Sequence, residues 1–233
     1  MSSFKYLLAL LSLLTFHAKS QEFTGIDKSD EQAVLSEEDQ TPIPFLSSAA
    51  LLIDYGKLFG QFLDAESKYE LGTQFELKNR FVVLGEYGYA TLNPAGAYQN
   101  TDYESEGSYF RVGLGYKIDM TTKNNLYFSV RYAKALYSDR GVIDITSASG
   151  IFNDLIYPFE RTGLSAEWYE LSMSSEARLW KGLYAGFHLR LRIMNKYDQQ
   201  EPLDVYAIPG YGRTFDRSIP ALNLYLKYAF ERF

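Results

Sequence analysis

Charged side chains stand at every second position in several segments of the sequence, and one of these segments also carries a histidine. In the segment 183–195, His188, Arg190 and Arg192 alternate with apolar residues. A histidine beside a serine or a carboxylate can act as a general base, so a hydrolytic site is one interpretation. Apart from His17, however, His188 is the only histidine, and no Gly-x-Ser-x-Gly motif, phosphate-binding loop or metal-ligand cluster occurs. The pattern therefore gives catalysis little support.

The same charged positions suit a network of buried ion pairs. Acidic residues are concentrated in the earlier segments and basic residues in the later ones, and charges buried together must be paired. A two-residue turn at 181–182 places Glu170 opposite Arg192 or Met194 and Glu176 opposite Gly186 or His188. The expected contacts are those of Glu170 with Arg192 and of Glu176 with His188. A proton or ion path is the alternative use of such a network. The candidate charge network comprises Glu86, Arg111, Arg131, Glu170, Glu176, His188, Arg190 and Arg192.

The elements that must position these charges are segments in which apolar residues occupy alternate positions. Period two predicts β-strands, and no helical pattern of useful length appears. The eight predicted strands cover 48–57, 68–77, 81–92, 109–119, 125–138, 164–180, 183–195 and 220–232. Their connections alternate between tight turns at 77–80, 120–125 and 181–182 and longer loops at 58–67, 93–108, 139–163 and 196–219.

This alternation of turns and loops is typical of an outer-membrane barrel, in which short periplasmic turns lie at one end and long extracellular loops at the other. A soluble eight-stranded barrel also alternates, but its apolar face points inward. Here the polar face is rich in glycine, alanine and serine, which suits a narrow lumen, and aromatic residues share the apolar face. We therefore predict an all-β fold, an eight-stranded antiparallel up-and-down transmembrane β-barrel with the charge network in its lumen.

Composition excludes several other classes of protein. The 233 residues include no cysteine, which rules out a disulfide scaffold, a thiolate zinc site and a lipid-modified cysteine. With 23 basic and 29 acidic residues the net charge is -6, which argues against a nucleic-acid partner. A mean hydropathy of -0.22 is too polar for a bundle of membrane helices.

Three parts are predicted along the chain. Residues 1–20 combine Lys5 with an apolar run and small residues at 18 and 20, which indicates a secretory signal peptide. Residues 21–44 carry seven acids and one lysine and are expected to form an acidic periplasmic tail. Residues 45–233 form the predicted barrel, and the expected location is the outer membrane of a Gram-negative bacterium.

Two long loops, 139–163 and 196–219, are unusually rich in apolar and aromatic residues. Such loops either pack on one another as a cap or present anchors to a partner. The expected function is a non-enzymatic structural or interaction subunit that contacts outer-membrane lipid and other outer-membrane proteins or lipoproteins, without a cofactor, metal or nucleic acid. A lipid-modifying enzyme and a narrow channel or transporter are the alternatives. The loop candidates for interaction are Ile151, Phe152, Tyr157, Phe159, Tyr206, Tyr211, Arg213 and Phe215.

Four segments of the sequence carry a resemblance to a known group of proteins. They are 107–117 (GSYFRVGLGYK), 163–171 (GLSAEWYEL), 183–191 (LYAGFHLRL) and, most specifically, 208–216 (IPGYGRTFD). Together they resemble an uncharacterised family of small barrel proteins from Bacteroidota envelopes, classed only as a domain of unknown function. The resemblance covers roughly residues 50–233. It implies an outer-membrane location and an eight-stranded barrel, and it carries over no catalytic residue.

Overall fold

A computed structural model describes residues 44–55, 66–94, 101–145, 155–201 and 203–231 of the chain. Within these ranges, no helix is long and apolar enough to cross a membrane. The strands are β1 (Leu46–Asp54), β2 (Glu66–Leu77), β3 (Phe81–Leu92), β4 (Thr101–Asp119), β5 (Asn124–Ile145), β6 (Leu155–Trp180), β7 (Leu183–Tyr197), β8 (Ala207–Ile208), β9 (Gly212–Arg213) and β10 (Ser218–Glu231).

Eight of these strands close into a single ring in the order β1-β10-β7-β6-β5-β4-β3-β2. Every neighbouring pair is antiparallel, and β1 completes the ring by pairing with both β2 and β10. The predicted all-β, eight-stranded, antiparallel up-and-down barrel is confirmed. The two short strands β8 and β9 form a separate hairpin within the connection between β7 and β10.

The two faces of the barrel wall differ in polarity because side chains alternate along each strand. In β3, Val82, Leu84 and Glu86 are buried in the lumen, whereas Phe81 and Tyr87 are 55% and 62% exposed on the outside. The same alternation continues around the ring. Large apolar side chains exposed on the outer face include Leu51, Ile53, Leu71, Phe75, Val83, Val112, Leu114, Val130, Leu171, Leu189, Leu191, Leu222, Leu224 and Leu226.

Strands β4, β5 and β6 are much longer than their neighbours. They have 19, 22 and 26 residues, against 12 in each of β2 and β3. Their residues at the long-loop end pair only with one another, because β3 ends opposite Ser105 and β7 pairs with β6 only from Ala166 onward. Residues 101–104, 140–145 and 155–161 therefore form a three-stranded β4–β6 extension beyond the ring.

The prediction of a loop over 139–163 is wrong for most of these residues. They belong to β5, which continues to Ile145, and to β6, which begins at Leu155. The register between β5 and β6 shifts between Tyr137 and Asp139, opposite Gly163, whose φ is +74°. A bulge of this kind changes which residues of β6 face inward, so the period-two pattern of the sequence is interrupted there. Tyr157 and Phe159 are consequently strand residues. Ile151 and Phe152 lie outside the described residues.

Candidate functional site

The side chain of Arg111 lies at the centre of the lumen and contacts three carboxylates. Its Nε donates to Glu170 Oε1 at 2.9 Å, and its Nη1 donates to Glu70 Oε2 at 2.6 Å and to Glu86 Oε2 at 3.2 Å. None of the arginine side chain is exposed, and the three glutamates are at most 5% exposed. One guanidinium on β4 thus joins acids on β2, β3 and β6 across the barrel.

Three further arginines surround the same carboxylates. Arg131 contacts Glu86, and Arg190 Nη2 donates to the same carboxylate at 3.0 Å. Arg190 also lies 3.6 Å from Glu70, and Arg192 Nε lies 3.7 Å from Glu170 Oε1. Buried charges are tolerated when opposite charges surround them, and each carboxylate here has more than one arginine beside it. Not every polar atom is satisfied: Arg131 Nη2, Glu170 Oε2, both Nε and Nη1 of Arg190, and Arg192 Nε have no hydrogen-bond partner among the described residues. We call this set the central charge network: Glu70, Glu86, Arg111, Arg131, Glu170, Arg190 and Arg192.

A second group of polar side chains fills the lumen towards the short turns. The Glu176 carboxylate contacts Lys227, accepts from Tyr127 Oη at 2.7 Å and accepts from Tyr225 Oη at 3.1 Å. Lys117 Nζ donates to Glu76 Oε1 at 2.9 Å in the same region. The lumen is therefore filled by ion pairs and hydrogen bonds along much of its length.

Of the two contacts predicted across the β6–β7 hairpin, one is present and the other is wrong. Glu170 stands opposite Arg192, but Glu176 stands opposite Gly186 rather than His188. His188 instead faces Ser174, whose Oγ lies 2.5 Å from Nδ1, and stacks on Tyr225 at 4.1 Å between ring centroids. A register that pairs residues 170 and 192 also pairs 176 with 186, so the two expected contacts exclude each other.

Three lumen side chains that meet at one carboxylate, Glu70, Lys68 and Tyr109, are absent from the candidate network. Glu70 contacts Arg111, Lys68 Nζ lies 2.7 Å from Glu70 Oε2, and Tyr109 Oη donates to that carboxylate at 2.6 Å. Tyr109 and Arg111 are two positions apart on β4, so strand periodicity was a signal that could have placed both in the lumen. Lys68 and Glu70 share a face of β2 for the same reason.

The predicted loop 196–219 folds back into the long-loop end of the barrel. We call residues 203–215 the plug. Its hairpin turns at Pro209 and Gly210, and the side chains of Ile208 and Tyr211 are fully buried. Tyr211 meets Trp168 of the barrel wall edge to face, with ring centroids 5.6 Å apart. Two alternatives were open for this loop, a cap over the barrel and an anchor for a partner. The plug forms the cap.

Backbone carbonyls of the plug are bound by arginines of the barrel wall. Arg111 Nη2 donates to Gly210 O at 2.9 Å, and Arg192 Nη1 donates to Tyr211 O at 2.6 Å. These carbonyls supply partners for a network that has more guanidinium groups than carboxylates. The plug and the central charge network are therefore one connected structure.

Two of the predicted interaction residues are placed where no partner can reach them. Tyr206 is 6% exposed and Tyr211 is 0% exposed, whereas Phe215 is 65% exposed and Arg213 is exposed on the surface. Burial raises the pKa of the Tyr211 phenol, which stays protonated and donates to Asp216 O at 2.9 Å. The aromatic content of this loop serves packing inside the barrel more than contact outside it.

Comparison with known proteins identifies a family and similar folds. The family described as "Domain of unknown function (DUF6048)" matches residues 2–229. Ail, the attachment invasion locus protein of Yersinia pestis, is 9% identical with a TM-score of 0.41, over 79% of this chain and 98% of Ail. A major outer membrane protein from Thermus thermophilus is 12% identical with a TM-score of 0.45, over 78% of this chain and 99% of that one. No curated protein sequence matches the chain.

Proposed function

This chain belongs to the DUF6048 family, whose description names no function, and we propose from its geometry that it is a non-enzymatic outer-membrane barrel. We further propose that it acts as an interaction subunit, using the β4–β6 extension to bind another protein at the cell exterior. The observation that carries the proposal is a sealed, charge-filled lumen combined with an exposed apolar surface on the extension.

The outer face of the ring supports placement in a membrane. Val112, Leu114, Val130 and Leu171 are 50–68% exposed, while charged groups occupy the inside. A soluble barrel has the opposite arrangement, and an apolar belt of this size in water would drive aggregation. In a bilayer the same belt meets lipid, as the outward face of a transmembrane barrel does.

An arginine introduced into the belt tests this placement. We expect Val130→Arg to lower the free energy of unfolding by about 2–4 kcal/mol in lipid vesicles, because the charge would be held near the bilayer centre. Leu179→Arg is the matched control: Leu179 is similarly exposed (62% against 57%) but lies beside the β6–β7 turn, where the cost is about 0–1 kcal/mol. Urea titration measures both, and equal costs would contradict the membrane placement.

The surroundings of His188 support the proposal that the protein is not an enzyme. The two cavities that His188 lines have volumes of only about 10 Å³ each, which is about the space of one water molecule. His188 is 4% exposed and Ser174 is 3% exposed, so a substrate has no path to the pair. The charge network and the plug argue in the same way against an open channel, because together they fill the lumen.

The β4–β6 extension supports a role in binding. Ile156 and Tyr157, which project from opposite faces of the extension, are 67% and 52% exposed beyond the ring, although side chains of this kind are usually buried. An open cavity of about 650 Å³ adjoins the extension and is lined by Val142, Pro158 and Phe159 together with charged residues. Aromatic and aliphatic anchors beside a cavity with a polar rim are typical of protein interfaces.

Substitution of the two exposed anchors tests the binding role. We expect Ile156→Ser with Tyr157→Ser to reduce the recovery of a co-purifying outer-membrane protein at least tenfold, a loss of about 1.4 kcal/mol that interface anchors readily exceed. The measurement is a mild-detergent pull-down from outer membranes with quantitative mass spectrometry.

The control variant changes two equally exposed apolar residues at the opposite end. Phe45 and Met120 are 70% and 62% exposed near the short turns, so Phe45→Ser with Met120→Ser removes similar apolar area. A partner lost from both variants, or from neither, would show that the extension is not the binding surface.

A further inference from the structure

The short-turn end of the barrel carries a group of basic side chains. They project from all three turns and the strand ends beside them, and all are exposed. We call this group the basic ring: Lys78, Arg80, Lys123, Arg178 and Lys181. We infer that the basic ring binds the anionic phosphate headgroups of phospholipids in the adjacent leaflet.

Backbone hydrogen bonds hold the three turns side by side. Lys117 N donates to Arg80 O at 2.7 Å, which fixes the β2–β3 turn against β4. Arg178 N donates to Lys123 O at 2.8 Å, which fixes the β4–β5 turn against the end of β6. The cations therefore stand on a rigid rim and do not depend on loop motion to come together.

The charge of the basic ring is not neutralised by nearby acids among the described residues. None of its five members forms an ion pair there. Glu76 and Glu176 pair with Lys117 and Lys227 in the lumen, and the exposed Asp119 at this end lies 3.2 Å from Lys117. Away from this end, Lys134 and Lys196 lie 3.2 Å and 3.3 Å from Glu167, whereas the exposed Arg213 and Arg217 form no ion pair among the described residues. Five exposed bases without an ion pair therefore stand at the short-turn end, against these two elsewhere in the described part of the chain.

The side chains between the cations identify the kind of ligand. Leu179 and Trp180 are 62% and 78% exposed, directly between Arg178 and Lys181 in the chain. Tryptophan beside lysine and arginine is typical of a membrane boundary, where the ring meets acyl chains and the cations meet phosphates. A water-soluble acidic partner would not explain apolar side chains continuous with the belt. The occupant that fits both features is an anionic phospholipid, an assignment that rests on the proposed membrane placement.

A lipid-selectivity measurement tests the inference. The full chain is inserted into vesicles of phosphatidylcholine alone or of phosphatidylcholine mixed equally with phosphatidylglycerol, and the lipids retained after detergent extraction are quantified by mass spectrometry. We expect phosphatidylglycerol to be enriched around the wild-type protein. Lys123→Gln, Arg178→Gln and Lys181→Gln together should lower that enrichment about threefold or more, because each basic residue near the surface contributes separately.

The matched control removes the same charge at the other end. Lys134→Gln, Lys196→Gln and Arg217→Gln together should leave the enrichment unchanged. Three results would each overturn the inference. They are equal losses in both variants, absence of enrichment in the wild type, and enrichment that persists in about 1 M salt, where the Debye length is about 3 Å. If phosphatidylglycerol is enriched only after residues 21–43 are deleted, the basic ring binds the acidic segment of the chain itself, and the lipid assignment is overturned.

Flotation with pure phosphatidylcholine vesicles separates this inference from the proposed function. A protein that floats with these vesicles but has no preference for phosphatidylglycerol overturns the lipid-binding inference alone. A wild-type protein that fails to insert into any vesicle overturns the membrane placement, and the lipid inference with it.

Discussion

Arg111→Met will lower the free energy of unfolding by about 3–5 kcal/mol, one of the two largest effects expected of a single change in this protein. The substitution keeps much of the side-chain volume but removes the guanidinium that Glu70, Glu86 and Glu170 share. Three carboxylates would then remain in the lumen with fewer partners, and an uncompensated buried charge is far more costly than a lost exposed pair. Urea titration in lipid vesicles, followed by the fluorescence of Trp168 and Trp180, measures the change.

Arg140→Met is the control for that experiment. Arg140 also pairs with a glutamate, Glu104, but its side chain is 63% exposed at the long-loop end. Exposed ion pairs contribute about 0–1 kcal/mol, so this variant should unfold near the wild-type urea concentration. Similar losses from both arginines would mean that the central charge network does not hold the barrel together.

Gly210→Ala will destabilise the plug by about 2–5 kcal/mol. Gly210 has a φ of +80°, which costs a residue with a Cβ about 1–2 kcal/mol. Its Cβ would also lie 2.5–2.8 Å from ring atoms of Tyr109, which is buried and hydrogen-bonded to Glu70 and so has little freedom to move. Overpacking of this kind adds about 1–3 kcal/mol. Hydrogen exchange of the amides in residues 205–215 should become faster as the plug leaves the lumen.

Gly163→Ala separates backbone strain from the clash. Gly163 has almost the same φ, +74°, but no atom lies within 4 Å of the position its Cβ would take. The substitution should therefore cost only about 1–2 kcal/mol and leave exchange in the plug unchanged. If the two alanine variants behave alike, the contact between Gly210 and Tyr109 is not what seats the plug.

The ring of strands could be predicted from the sequence because its signal is local. Apolar and polar residues alternate strictly over 187–193, and the observed strands Phe81–Leu92 and Leu183–Tyr197 begin where the predicted segments 81–92 and 183–195 begin. The alternation also placed Glu86, Arg111, Arg131, Glu170 and Arg190 inside a lumen, where the structure has them.

Strand register and strand length could not be predicted in full, because single extra residues change both. Across the β6–β7 hairpin two registers were open, and the irregularity between Arg178 and Trp180 belongs to the one in which Glu176 faces Gly186 and His188 meets Ser174. The shift opposite Gly163 concealed the continuation of β5 and β6. Because the side-chain period of a strand is two, one inserted residue reverses the face of everything beyond it.

A cap was one of the two alternatives for this loop, but the contacts of the plug could not be predicted, for a different reason. Its segment 208–216 has no regular period, and the contact that anchors it joins Arg111 to Gly210, 99 positions apart in the chain. The donor is a side chain, but the acceptor is a backbone carbonyl, which any residue possesses. The sequence therefore offers no charge pattern that points to this contact.

The position of the plug in the chain has a consequence for the order of assembly. The plug precedes β10, the strand that joins β7 to β1, and its anchors Arg111 and Arg192 belong to β4 and β7. These anchors face each other across the lumen only when the sheet has curled. Docking of the plug and the final pairing of β10 with β1 are therefore expected to depend on each other, as contacts of large sequence separation form late in folding. Closure of the ring and sealing of the lumen then become one cooperative event.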